Sequence, residues 1–270
     1  MHVDTTGPEG APVLVLQHGF AGSARNWRPQ QRGLRDQPVR VVAFDARGHA
    51  RTAQRFSPAR YALADFVRDF DDVARVASPD TPVVAGGLSL GAAVALHFAL
   101  AHPERVRGLV VAAIPPGEAR GFSGEADAFA ELLEREGLEA AGTRFVWGPN
   151  SGLDPQAAQW VRKGFLEHPA PALAAILRQT LASLPGIEAL RPRLAGLEVP
   201  TLVVVGEQDR GSLEACRTLA GALPQAQLCE IPDAGHVVNL AQPAAFNAAL
   251  QEFLASLAVP VTEPAPSPAS

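Results

Sequence analysis

The chain has 270 residues, 47% of them hydrophobic and 19% charged, which is enough to bury a full core in one α/β-sized domain. A formal net charge of −5 with no clustered basic stretch excludes a nucleic-acid footprint, and no run of 18 or more apolar residues is present to cross a membrane. Cys216 and Cys229 are too few for a disulfide framework and have no His or Cys at metal-ligand spacing, so they read as buried thiols.

The N-terminal MHVDTTGPEGAP has no basic segment leading into an apolar one, so it does not read as a secretory signal, and a soluble cytoplasmic protein is expected. Short runs rich in Val, Leu and Ile then recur as strands: Val13–Leu16, Val39–Phe44, Pro82–Ala85, Gly108–Ala113, Thr201–Val205 and Gln227–Ile231. Their continuous apolar character fits strands covered on both faces. Tyr61–Ala77 places Leu63, Phe66, Phe70 and Val73 on one helical face, Ala92–Ala101 continues a helical pattern, and Pro243–Leu257 reads as the final helix. Strands alternating with helices predict an α/β fold with a mostly parallel sheet.

The rhythm breaks after Ile114 and resumes at Val199. Between them Ala126–Glu136, Pro155–Leu166 and Pro171–Leu184 read as helices punctuated by Pro and Gly. The expected organisation is a core of residues 1–114 and 197–258, a helical lid at 115–196, and a disordered Pro/Ala/Ser-rich tail at 259–270.

Pro82–Leu90 runs a strand into Gly87-Leu-Ser89-Leu-Gly91, and a helix follows at once. That order is what a nucleophile elbow requires: a serine on a sharp turn, with small residues two positions either side so that strand and helix backbones can approach. A serine hydroxyl needs a base. His97 and His102 lie behind the elbow, His168 lies in the insertion, and His2 lies in the terminus; His236 follows the last strand, at the sheet edge where such sites gather. The orienting acid should follow another strand, and both Glu207 and Asp209 end the Thr201–Val205 run. His18-Gly19-Phe20 ends the first strong strand; the amides of Phe20 and Leu90 are the expected oxyanion donors, with His18 as loop support.

Together His18-Gly19-Phe20, Asp45-Ala-Arg47-Gly48-His49, Gly87-Leu-Ser89-Leu-Gly91, Gly206-Glu-Gln-Asp209 and Gly235-His236 resemble the α/β-hydrolase superfamily over about residues 11–256. The resemblance implies a catalytic triad of Ser89, Asp209 (in preference to Glu207) and His236, and no metal or organic cofactor. It implies bracing roles for Asp45, Arg47 and His49. Ala50 and Ala92 stand where the family usually has glycine, and only twelve residues precede Val13, so its two leading strands must be very short or absent, with Val3–Thr5 the candidate for one. Ser89 argues against the dehalogenase and epoxide-hydrolase branches, which carry aspartate there. Gly87–Gly91 and His236–Pro243 resemble 3-oxoadipate enol-lactonases and esterase relatives, so the expected partner is a small-molecule ester or lactone. C–C hydrolases, thioesterases and lyases using the same triad are alternatives, as is a non-catalytic binding protein on this scaffold. Trp147 and Trp160 are candidate pocket walls, and Arg135, Arg144, Arg162, Lys163 and Arg178 candidate partners for a substrate carboxylate.

Overall fold

The computed structural model describes residues 1–55, 60–117, 122–148 and 155–258; the tail expected to be disordered lies outside the described residues. Seven strands form one sheet in the order β1-β3-β2-β4-β5-β6-β7, with β1 His2–Thr6, β2 Val13–Gln17, β3 Arg40–Asp45, β4 Val83–Leu88, β5 Val106–Ala112, β6 Thr201–Gly206 and β7 Ala226–Ile231. All neighbours pair in parallel except β1, which runs antiparallel along β3 with His2 opposite Asp45. The short leading strand at Val3–Thr5 is therefore present, as an edge strand.

Alternation along the inner strands explains why they read as unbroken apolar runs. Val13 and Val15 feed one hydrophobic layer and Leu14 and Leu16 the other; Leu109 and Val111 oppose Val110 and Ala112, and Val203 and Val205 oppose Leu202 and Val204. Each strand thus buries both faces, as a sheet sandwiched by helices must. The second layer is closed by α1 (Arg28–Gly33) with its flanking Trp27 and Leu34, together with Phe246, Leu250 and Phe253 near the C-terminus, and the first by α2 (Leu63–Ala77) and α3 (Leu90–Ala101). Helix α2 begins where the Asp65 carboxylate accepts the Ala62 N–H at 3.2 Å, and it buries Phe66, Phe70 and Val73 as its periodicity predicts.

Between β5 and β6 the described residues hold helices and connecting turns but no strand. The helices are Phe122–Phe145, Pro155–Phe165, Ala170–Gln179 and Ile187–Leu194, with a short 3-10 turn at Leu181–Ser183. The first of them is interrupted at Gly137, whose φ of 81° and ψ of −174° only glycine adopts readily, so the expected stop after Glu136 coincides with a break even though helical turns resume beyond it. Ile187, Leu190 and Leu194 join the first core layer, and their helix packs on the one after β6, Leu213–Ala222. That part of the 115–196 stretch therefore belongs with the sheet's flanking helices. None of the helices among the described residues is long and apolar enough to cross a membrane.

Candidate active site

The elbow forms at the end of β4. Ser89 has φ 54° and ψ −117°, a left-handed conformation costly for a residue with a Cβ and maintained only where its surroundings over-determine it. Those surroundings are visible. The Ser89 N–H donates to the Ala112 carbonyl at 2.8 Å, and the Ala93 N–H donates to the Ser89 carbonyl at 3.0 Å. A Cβ on Gly87 would come within 2.2 Å of the Gly91 backbone, and one on Gly91 within 2.1 Å of the Gln17 carbonyl oxygen, so neither position admits a side chain. From Val83 to Leu96 only Ser89 is not fully buried. Leu90 opens α3, and its N–H is one of the first-turn donors without an intrahelical acceptor.

The loop after β2 lies against this elbow. Gly19 approaches so closely that a Cβ there would meet both the Leu88 carbonyl and the Ser89 Cβ at 3.2 Å. His18 pins the loop: Nδ1–H donates to the Gly19 carbonyl at 2.7 Å, while Nε2 accepts the Ala46 N–H at 3.0 Å. Those two partners require the neutral ring, and burial pushes its pKa down to about 4. His18 is support, as its sequence context suggests. The Asp45 and Arg47 motif braces neighbouring loops: Asp45 accepts the Ala24 N–H at 2.7 Å and Arg51 Nε at 2.6 Å, and Arg47 grips Asp69 with two bonds of 2.6 Å.

His236 and Asp209 meet at the far side of the same edge. Nδ1–H of His236 donates to Asp209 Oδ2 at 2.8 Å, so in the neutral ring the bare lone pair lies on Nε2. Burial opposes charge on Asp209, but the bonds from His236 and Ser212 outweigh it and hold the carboxyl below its ordinary range. Glu207 is exposed, whereas Asp209 is 7% exposed, so of the two acids after β6 it is Asp209 that reaches the imidazole. The Ser89 hydroxyl and the His236 ring are not hydrogen-bonded here; such pairs commonly tighten only around a bound substrate.

Two contributors to this geometry escape a reading of motifs. Ser212 donates its backbone N–H to Asp209 Oδ1 at 3.2 Å, and its hydroxyl lies 3.4 Å from His236 Nδ1. The Asp209-x-x-Ser212 spacing ahead of a helix is a legible signal for it. Gly206 is the other: a Cβ there would strike the Ala234 carbonyl oxygen at 2.2 Å, because the loop carrying His236 folds back across the end of β6. The bond from the Gln208 N–H to that same carbonyl, 2.9 Å, fixes the crossing.

The insertion rests on the loop after β2. Phe20 packs edge-on against Phe129 at 5.8 Å between centroids, Phe129 stacks on Phe145 at 4.6 Å, and Trp147 meets Phe165 edge-on at 5.3 Å. Trp160 is 56% exposed and stands apart from this aromatic cluster. Of the basic residues in the insertion, Arg162 pairs with Glu139 at 2.9 Å, Arg178 with Glu134 at 2.6 Å and Arg135 with Glu136 at 3.8 Å, all at the surface; Arg144 lies over the Phe145 ring. Cys216 is buried, its thiol pushed up to about 12 by burial, and Cys229 is half-buried.

Comparison with known proteins gives a consistent family. The family model described as the alpha/beta hydrolase fold matches residues 12–243. A protein of Variovorax paradoxus named as carbamate hydrolase RutD is 31% identical over 96% of this chain and 98% of its own. A Bacillus subtilis protein named as 2-succinyl-6-hydroxy-2,4-cyclohexadiene-1-carboxylate synthase is 28% identical over 93% of both chains. Among solved structures, a thermophilic esterase from Thermogutta terrifontis is 27% identical, with a TM-score of 0.83 over 96% of this chain and 94% of its own.

Proposed function

The chain belongs to the α/β-hydrolase family, and from that membership we propose that it is a serine hydrolase that cleaves a carboxylic ester or lactone through Ser89, His236 and Asp209. One observation carries the reading: the 2.8 Å bond between His236 Nδ1 and the buried Asp209 carboxylate, which leaves Nε2 bare at the sheet edge where the strained Ser89 stands. Ser89 Oγ attacks the carbonyl carbon as Nε2 takes its proton. The negative oxygen that results is met by the amides of Phe20 and Leu90, preorganised by the loop and by the start of α3. The imidazolium, stabilised by Asp209, returns the proton to the departing alcohol or enol oxygen, the acyl group remains on Ser89, and water repeats the sequence to release the acid. Trp147 and its aromatic neighbours form an apolar wall beside Phe20, while the exposed Trp160 is the less suited of the two candidate walls. The Variovorax relative's name extends the candidate carbonyl class to carbamates, which accept the same attack.

The test is direct. Ser89→Ala should lower turnover of short p-nitrophenyl esters at least 10³-fold with the melting temperature preserved. Parental turnover in that variant would remove Ser89 from the mechanism. Labelling by a serine-directed fluorophosphonate separates this enzyme from a binding protein on the same scaffold, which would not react there. A second reading, a lyase using His236 as a base without an acyl-enzyme, is favoured by the Bacillus relative's being named as a synthase and not as a hydrolase. It predicts fluorophosphonate reactivity without ester turnover.

A further inference from the structure

The turn that would present the Phe20 amide is strained. The Gly22 N–H donates to the Gly19 carbonyl at 3.0 Å, closing a four-residue turn whose third residue, Ala21, has φ 54°. Glycine or asparagine is favoured at that position, because the Cβ of an L-residue crowds the backbone there. Strain of this kind persists only if contacts outside the turn hold it. His18 grips the Gly19 end. The Gly22 end is held from the insertion, 146 residues away in sequence, by His168 Nε2 at 3.0 Å from the Gly22 carbonyl.

The proton's position on that ring follows from its neighbours. Nδ1 of His168 faces the carbonyls of Gly164 at 2.9 Å and Phe165 at 3.2 Å, but these already accept the N–H groups of Glu167 and His168. Either neutral tautomer leaves one ring lone pair facing a carbonyl oxygen; because the Gly22 carbonyl has no other protein donor among the described residues, while those of Gly164 and Phe165 have one each, the proton is assigned to Nε2. The residue is 4% exposed, its ring meets that of His49 edge-on at 5.4 Å, and the adjacent Glu167 pairs with Arg25 just beyond the turn. The insertion and the loop are thus fastened side by side.

We propose that His168 is a positioning residue for the oxyanion hole, its Nε2–H fixing the Gly22 carbonyl so that the strained turn keeps the Phe20 amide aimed at the carbonyl oxygen developing charge above Ser89. This rests on the acyl-transfer reading above. It makes the insertion part of the catalytic geometry.

Turnover of p-nitrophenyl acetate by the full-length enzyme, with Ser89→Ala as blank, is compared among the parent, His168→Phe, His168→Gln and His168→Leu, alongside amide hydrogen exchange of residues 18–27. Outright removal of one oxyanion donor typically costs 10²–10³-fold, so loosening one should cost about tenfold. In His168→Phe, kcat should fall by about that factor with KM within twofold, and exchange across 18–27 should accelerate about tenfold. His168→Gln, which keeps an N–H donor, should recover at least a third of kcat, and His168→Leu should not. If the Phe variant does not fold, the Gln and Leu pair reads the same contrast. Unchanged kcat and exchange in His168→Phe would overturn the proposal, as would a loss confined to KM or a Gln variant no better than Leu. Should the parent show no Ser89-dependent turnover, acyl transfer fails and the exchange contrast alone decides whether His168 holds the turn.

Discussion

Three buried histidines, His18, His49 and His168, sit ring against ring behind the proposed site, and none serves as the base. Their burial has a thermodynamic consequence. Desolvation pushes His18 from an ordinary 6.5 down to about 4; His97, on α3, is pushed to about 4 by burial and by Arg193. In the unfolded chain both take up protons near pH 6.5, while the folded protein refuses them until about pH 4. Folding stability should therefore be level above that window and decline as pH falls through it, by about 1.4 kcal/mol per pH unit for each group. The depressed Asp45 and Asp209 carboxylates act lower: their contribution is complete above their ordinary 3.8 and is lost only as pH falls further. Urea midpoints measured from pH 7.5 to 4.5 should drop steadily below 6.5; level midpoints would contradict the neutral, buried state of these rings.

At the scale of elements, the site depends on backbones passing at distances that leave no room for a Cβ. Gly87 and Gly91 do this for the elbow, and Gly206 does it for the loop that carries His236. Gly206→Ala would drive a methyl into the Ala234 carbonyl, 2.2 Å away, so the loop must shift. A displacement of about 1 Å at a catalytic group can cost 10²-fold. The expected result is kcat reduced by about that factor, with about 2 kcal/mol of stability lost to the overpacked crossing. Steady-state kinetics and urea denaturation would check both. Parental kcat in this variant would show that the crossing does not set the position of His236.

The whole molecule is two apolar layers on one sheet, with the helical insertion docked onto the first of them as part of one continuous buried cluster. Phe129 is central to that docking: it is 8% exposed and touches Phe20 from the loop as well as Phe145 and Phe165 within the insertion. Phe129→Ala should lower stability by about 3 kcal/mol, since a large buried ring is removed and the space only partly collapses. A loss under about 1 kcal/mol in denaturant titration would mean that the insertion is held mainly by polar contacts, such as His168 to Gly22 and the Thr180 hydroxyl to the Tyr61 carbonyl.

The local signals were strong enough to place most of this. The Val- and Leu-rich runs located β2 to β6 within a few residues, because burial on both faces writes itself into consecutive positions, whereas the partly exposed edge strand β7 shows the signal only weakly. The strand–Gly87-x-Ser89-x-Gly91–helix order located the elbow for a similar reason, since its steric demands fall on neighbouring residues. Residue chemistry alone left Glu207 and Asp209 equivalent, with only the family resemblance favouring Asp209, and it treated Trp160 like Trp147 and the insertion's arginines as candidate ligands. Tertiary structure supplies the physical reasons: Asp209 is turned into the His236 ring, Trp160 faces outward, and Arg135, Arg162 and Arg178 are paired with surface carboxylates. The antiparallel edge placement of β1, the helix Ile187–Leu194 joining the core, and the bond from His168 to a carbonyl 146 residues away likewise have no local signature. Periodicity and turn chemistry constrain residues that are close in the chain, whereas the environment that orients a side chain is assembled only when distant segments pack.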